Sequence, residues 1–586
     1  MSGVRALRDG LLAAAFLLAA CAKVDSGPRN WAYDGPVNSC GGAGDCTTGI
    51  CDPELGACVV SPPVGETLLA RVVPDPATGA SAQVYSVNVP AAELSAPLEV
   101  RVPVTVTGDT LVAVGGGTSE LDGRVVLSDV GNRLPGHPAQ ITVYESKSSE
   151  VFDLELLPST YNLIVIPDEV VSDTAEGSHP MYYLDNKTLD TTGVFRDEDG
   201  DPMDVIVPEA AAFVSGQVTL AGVPTNDLEV VAFDWATGRI VSTVDTTALD
   251  DVGTEADPEF IPGHFSIGLA QSVVDAEPGS PFWLRIWRES EPQHPVFEAG
   301  GNEDEGFPPP AAGGKLNLVG DERLAFGALV VPVRFQATVL QPVKTLSGAE
   351  VYDTAPSCFV SFSSADVAGG AVEKWVLTNE SGELEEAPGS PGVYLYPGEY
   401  TITVIPAYAP VGSTSDFAVY TSEVPQEVHE DNIPGEVELR LGWRPVVTGS
   451  VSAAGLAVPT SAVSAEPAVG APETARSNSA MSGGSGAFRF WLDEAPYVVV
   501  AEAPAESYYA WDVIEADVPE EALALSFELP LPFTLRGAVA ASVEQVDPID
   551  VAGSVVEWYR EIDGRAYAVG RSVADENGGF TAFLPP

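Results

Sequence analysis

Apolar and polar residues alternate along most of this chain with the two-residue period of a β-strand that has one face on a core. The clearest case is GEYTITVIP at 398–406, which puts Tyr400, Ile402 and Val404 on one side and Thr401 and Thr403 on the other. The stretch recurs as STYNLIVIP at 159–167 and APYVVVAEAP at 495–504, and more loosely as SPFWLRIW at 280–287. Tyr161, Tyr400 and Tyr497 are therefore expected at equivalent places. Outside the first 20 residues no long pattern has helical period.

Two half-units alternate from residue 61 onward. The first opens on G-x-V, at 123–125, 216–218, 449–451 and 537–539, with Ala337 in the glycine's place in RFQATV at 334–339. Strands such as EVVAF (229–233), CFVSF (358–362) and VVEWY (555–559) follow, separated by the turns ATGR (236–239), NESG (379–382) and DENGG (575–579). The second half-unit holds a Pro-rich loop and one strand just before the next G-x-V: MDVIVPE (203–209), VELRLGW (437–443) and LSFELPL (525–531). The repeat is too long for a solenoid coil and fits one β-sandwich.

The predicted fold is all-β: tandem Ig-like or transthyretin-like β-sandwiches in a row, behind a small disulfide-rich segment. The expected division is 1–20 signal, 21–39 tether, 40–60 Cys-rich module, 61–118 partial β unit, then sandwiches at 119–212, 213–332, 333–444, 445–532 and 533–586. The first complete sandwich should begin near Gly123. The last stops at FTAFLPP, where earlier units continue into the tyrosine strand, so it is expected to lack its final strands.

The amino terminus, MSGVRALRDGLLAAAFLLAAC, carries Arg5 and Arg8 ahead of an apolar run at 11–20, too short for a bilayer core of about 30 Å. Small residues then precede Cys21. This resembles a bacterial lipoprotein signal with its lipobox, and the resemblance implies cleavage before Cys21 and lipid on its sulfur. Ala22, by resemblance to enterobacterial lipoproteins, implies transfer to the outer membrane. The competing reading is an ordinary secretory signal with an incidental cysteine.

Cys40, Cys46, Cys51 and Cys58 crowd one short stretch, which in an exported chain points to two disulfides with three pairings open. A structural zinc site competes, although the spacings suit it poorly. The segment is similar to EGF-like or Dickkopf-N-terminal modules. The longer repeats resemble carboxypeptidase regulatory-like domains, through G-x-V, ATGRIV at 236–241, ADENGGF at 574–580 and PGEYTITVIP at 397–406. That resemblance implies a transthyretin-like or Ig-like sandwich, often classed as a carbohydrate-binding-like fold, and no peptidase activity.

Composition changes the picture chiefly through charge. With 85 acidic against 27 basic residues, net −58, the chain would repel a phosphate backbone, so nucleic acid is excluded as a partner. The acids serve solubility or bind divalent cations weakly. Asp197, Asp199 and Asp201 in RDEDGDP are the candidate calcium ligands, although Gly200 sits in the wrong place for an EF-hand loop. No other cofactor is expected. The five histidines form no metalloprotease motif, and no nucleophile elbow or phosphate loop occurs. Cys358 lies in an apolar strand and is expected to be a buried, inert thiol. Tyr508, Tyr509 and Trp511 are candidates for stacking on a sugar, or else ordinary packing. No catalytic residue is assigned.

The sequence thus points to a non-enzymatic, lipid-anchored envelope protein of the outer membrane, a stalk or adhesion scaffold. Its expected partners are the membrane and a surface polysaccharide or another envelope protein. The alternative is a carbohydrate- or protein-binding lipoprotein that uses loop aromatics. Contacts are expected from the loops at 168–202, 288–320 and 407–433, and shortening 288–320 should leave stability nearly unchanged.

Overall fold

The computed structural model describes residues 33–586 apart from short stretches, the longer ones being 147–153, 168–178, 252–259, 276–280, 288–296, 301–305, 327–332, 407–416, 429–436 and 543–550. The described chain is a series of β-sandwiches behind a small disulfide-linked segment. Alternation explains the strands. In Gly398–Ile405 the residues Tyr400, Ile402 and Val404 are fully buried, and the strand lies between Phe359–Val367 on one side and Tyr420–Thr421 and Gln426–Val428 on the other. Thr160–Pro167 and Pro496–Ala501 are likewise interior strands, paired on both edges. Tyr161, Tyr400 and Tyr497 are each the first buried residue of their strand.

A second sheet closes each sandwich by pairing an early strand with the last one in parallel. Thr110–Val114 pairs with Val205–Val207, Ala212–Gln217 with Lys315–Leu318, Ala337–Lys344 with Val437–Arg440, and Val446–Ala453 with Ala522–Glu528. The G-x-V glycine has a packing cause. Gly216, Gly449 and Gly537 lie directly opposite Phe265, Phe488 and Phe580 on the neighbouring strand. A Cβ at any of the three would come within 2.6 Å of that ring. Ala337 stands where the facing side chain is smaller: the Thr338–Glu383 bridge puts buried Leu384 in the phenylalanine's place. In all four units the turn glycine, Gly263, Gly382, Gly486 or Gly578, has positive φ. Its carbonyl accepts the N–H of Val218, Val339, Val451 or Val539.

Gly123 does not belong to this set. It opens the strand Gly123–Asp129, which pairs with Gln140–Ser146 and with the tyrosine strand Thr160–Pro167. In the later units that position belongs to the second strand, such as Glu229–Asp234 or Phe359–Val367. The first sandwich therefore starts earlier than Gly123, with Val104–Thr105 and Thr110–Val114.

The strands expected to be missing from 533–586 come from the opposite end of the chain. Glu66–Val73 pairs antiparallel with Val555–Ile562, and Leu98–Val100 pairs parallel with Phe533–Ala541. One core unites Leu68, Ala70, Val72 and Val100 with Phe533, Trp558 and Phe580. The partial unit at 61–118 and the shortened unit at 533–586 are thus largely two parts of one split sandwich. Alternation identifies a strand but not its partner, so this pairing has no local signature.

The row of sandwiches consequently returns to its start. Successive units are joined at Val100 to Val104, Val207 to Ala212, Phe326 to Val333, Arg440 to Val446 and Glu528 to Phe533. Even the longest of these joins spans at most about 25 Å when fully extended. Because the first and last join both lead into the split sandwich, the series is closed.

The three segments expected to be variable loops contain parts of the sheets. Residues 168–202 include the strand Tyr182–Leu189, and 407–433 include Tyr420–Thr421 and Gln426–Val428. Residues 288–320 include Phe297–Ala299, Lys315–Leu318 and Phe307, which is buried against Phe282. Shortening that last segment would remove core, contrary to the expectation of near-neutral stability.

Candidate functional sites and the joints between sandwiches

Cys21 lies outside the described residues. The Cys-rich segment folds on two short strands, Ile50–Asp52 and Ala57–Val59, and carries the disulfides Cys40–Cys51 and Cys46–Cys58. The sulfurs of Cys40, Cys46 and Cys51 lie within 4.8 Å of one another because the two bridges stack, and all three are bonded in disulfides rather than open to zinc.

This segment is docked, not displayed. Asn38 donates its backbone N–H to Ser507 O at 2.8 Å, and its Nδ2 to Cys58 O and Tyr508 O at 2.7 and 2.9 Å. Val60 N–H bonds Pro532 O, and Asp52 meets Arg536 at 2.7 Å. Burial pushes the Asp52 carboxyl up, but the N–H groups of Glu54 and Leu55 and the Arg536 guanidinium outweigh it and hold the carboxyl below its ordinary value. The segment therefore sits where the fourth sandwich meets the split one.

Asp197 is a turn former. Its Oδ1 accepts the N–H groups of Asp199 and Asp201 at 3.0 and 2.8 Å, and Arg196 bonds Gly200 O. Asp197, Asp199 and Asp201 are all exposed, and their carboxylate oxygens are not gathered within 4.8 Å of one another. The same two-bond pattern recurs at Asp190, Asn379 and Asp575, so part of the large acid content closes hairpin turns.

Cys358 is 2% exposed within the third sandwich's core, and its N–H bonds Thr378 Oγ1 at 2.8 Å. Tyr508, Tyr509 and Trp511 do not form one platform. Tyr509 is 8% exposed and belongs to the fourth core, Tyr508 packs on Phe583 at 5.5 Å, and Trp511 joins the cluster of Val498, Val500 and Tyr567 between two sandwiches. Chain direction explains the split: Tyr508 caps a short 3-10 turn with left-handed backbone, which turns successive rings apart.

Of the histidines, His294 and His429 lie outside the described residues. His264 Nδ1 is 2.8 Å from Asp250 Oδ2, and His179 is buried. His137 Nε2 is 2.7 Å from Ala566 O, where the first sandwich touches the split one; Ala566 N–H also bonds Pro135 O there.

A buried charge cluster among the described residues was invisible in the sequence. Asp493 accepts Arg444 at 2.9 Å and Arg476 at 2.7 Å, and Arg444 is 1% exposed. Arg476 reaches further, to Phe417 O at 2.5 Å, so the cluster ties the fourth sandwich to the third. Burial pushes the Arg444 guanidinium down, while Asp493 opposes that shift. Residues from three distant stretches meet here, and no spacing rule brings them together. Other joints are tied similarly. Arg239 meets Asp185 at 2.8 Å above an apolar cluster of Met181, Val231 and Ile240 between the first and second sandwiches. The second and third share one continuous core.

No known family model matches the chain, and no curated protein matches it significantly. Solved structures similar to it include the Bacillus anthracis TIE protein, at 11% identity and TM-score 0.16 over 72% of this chain and 73% of that one. A streptococcal ancillary pilin is 10% identical with TM-score 0.19, over 54% of this chain and 99% of the other. The full-length RrgB pilus protein of Streptococcus pneumoniae is 10% identical with TM-score 0.12, over 73% and 94%. At such identity and superposition these likenesses carry no functional argument.

Proposed function

We propose that the chain is a non-enzymatic scaffold of the bacterial cell envelope, held to the outer membrane by lipid on Cys21. The carrying observation is that a buried charged cluster fastens two sandwiches: Asp493 holds Arg444 and Arg476, and Arg476 donates to Phe417 O of the third sandwich. Two groups with chemical potential are engaged locally instead: Asp197 in a turn and Cys358 in a core. Catalysis needs a nucleophile, base or metal in mutual reach of a substrate. A set of firmly tied, closed joints serves rigidity instead. The segment that follows the tether docks at Asn38, beside the fourth and split sandwiches; on this reading the partner is another envelope protein.

Complementation of a null strain tests the reading. Cys358→Ala and Asp197→Asn should restore envelope integrity as the wild type does, while Asp493→Ala should not. Failure of the first two with success of the third would point to chemistry instead.

A second reading, capture of a surface polysaccharide, is favoured by Trp375 rather than by the three aromatics of 508–511. Trp375 is 44% exposed, stacks on Phe359 at 4.4 Å, and continues across the sheet into Ser361, Thr403 and Thr421. A glycan array that binds wild type but not Trp375→Ala would support it; equal signals from both would remove it.

A further inference from the structure

We propose that the split sandwich is an exchangeable joint: residues 66–100 of one copy can complete residues 533–584 of a second copy, giving head-to-tail oligomers. The partner is another molecule of this chain, and the surface is the one already used within it.

The argument begins with the way the sandwich is divided. Its four-stranded sheet places Glu66–Val73 between Gln83–Val89 from the same end and Val555–Ile562 from the other. The antiparallel register runs from Leu69 opposite Tyr559 to Val73 opposite Val555. The second sheet repeats the division, with Leu98–Val100 from one end against Phe533–Ala541 from the other. Each part alone leaves an open strand edge and half a core: Leu68, Ala70, Val72, Val89 and Val100 on one side, Phe533, Leu535, Val556 and Trp558 on the other. Fixed polar pairs confer specificity. Arg71 meets Glu557 at 2.9 Å and Arg560 meets Glu66 at 2.6 Å.

None of these contacts depends on the two parts belonging to one molecule. Exchanging an identical element between copies keeps every strand pair and core contact, the condition for domain swapping. In the closed form the two parts meet within one chain. In the exchanged form each molecule offers one part at either end, and the head-to-tail contact extends unless it closes again into a ring. The balance is set by concentration against the effective concentration of closure. Folding provides the opportunity, because 66–100 are made first and wait for 533–584, a pairing of very high sequence separation. In the finished molecule the buried core holds the joint shut.

Two variants test this, both in a Cys358→Ala background: one with Arg71→Cys, the other with Glu557→Cys. They are unfolded together in urea with the native disulfides left oxidised, refolded at a series of concentrations, and air-oxidised. Each chain has only one of the two new thiols, so a disulfide joining the 71 and 557 peptides must run between molecules. The expected result is such a link, rising about tenfold in proportion to the closed form for each tenfold rise in concentration. A chain with both substitutions serves as the control and should form the link within itself when dilute. If the control forms it and the mixture never does, exchange is refuted. If the control also fails, the register of 66–73 on 555–562 is wrong and the proposal falls with it.

Discussion

Arg71 and Glu557 are 486 positions apart in the chain, and their side chains meet at 2.9 Å across two adjacent strands. That pair marks the place where the series of sandwiches closes. Loss of its supporting core should therefore be felt at the far end of the sequence. Ala70 is fully buried opposite Trp558. Ala70→Asp would place an unpaired charge there, at a cost of about 4 kcal/mol or more. Limited proteolysis should then cut within 533–586 while the second and third sandwiches stay resistant. Unchanged protection of the C-terminal strands would show that they do not need 66–100.

The glycine–phenylalanine contacts predict a compensating pair. Gly216→Ala presses a methyl against Phe265 and should destabilise the second sandwich by about 1–3 kcal/mol. Adding Phe265→Leu imitates the natural Ala337 and Leu384 combination and should recover part of the loss. Urea unfolding of the two single variants and the double variant gives the coupling energy; strict additivity would show that ring and glycine are not the cause of each other.

At the joint between the third and fourth sandwiches, Asp493→Ala leaves Arg444 and Arg476 without their shared carboxylate in a buried setting. Breaking such a group by removing one partner costs about 3–5 kcal/mol. Calorimetry should show the fourth sandwich melting earlier, and hydrogen exchange should rise around Phe417. A shift below 1 kcal/mol, well under that range, would mean that water reaches the cluster.

Asp245 gives a pH prediction. Burial, with a smaller push from Asp250, raises its carboxyl to about 6 despite the N–H groups of Ser266 and Thr246 and the nearby His264. Between about pH 4 and 6 the folded chain thus holds more protons at this site than the unfolded chain does. Stability from this group is greatest at low pH and falls as pH rises through 6. Asp245→Asn should therefore stabilise the second sandwich at pH 7, on the order of 1–2 kcal/mol, and the advantage should vanish near pH 4. An advantage that is constant with pH would assign the effect to packing.

Local pattern revealed much of this architecture. Alternation located Gly398–Ile405 and its relatives, and cysteine density marked the disulfide segment. It failed where identity of a motif did not mean identity of its neighbours. Gly123 matches Gly216 in sequence, yet it faces Ser146 rather than a phenylalanine ring. Loops were overestimated because strands such as Lys315–Leu318 are too short to show a period. The closing of the series and the Asp493 cluster join residues by three-dimensional proximity alone, which no single window of sequence contains.

The central claim is that the first and last parts of the chain form one sandwich. A molecule carrying both Arg71→Cys and Glu557→Cys, folded at low concentration and oxidised, tests it most directly by non-reducing peptide mass spectrometry. The account predicts one new disulfide joining the 71 and 557 peptides in a species of monomeric mass. Folded monomer that retains both thiols, under conditions where Cys40–Cys51 and Cys46–Cys58 are formed, would contradict it.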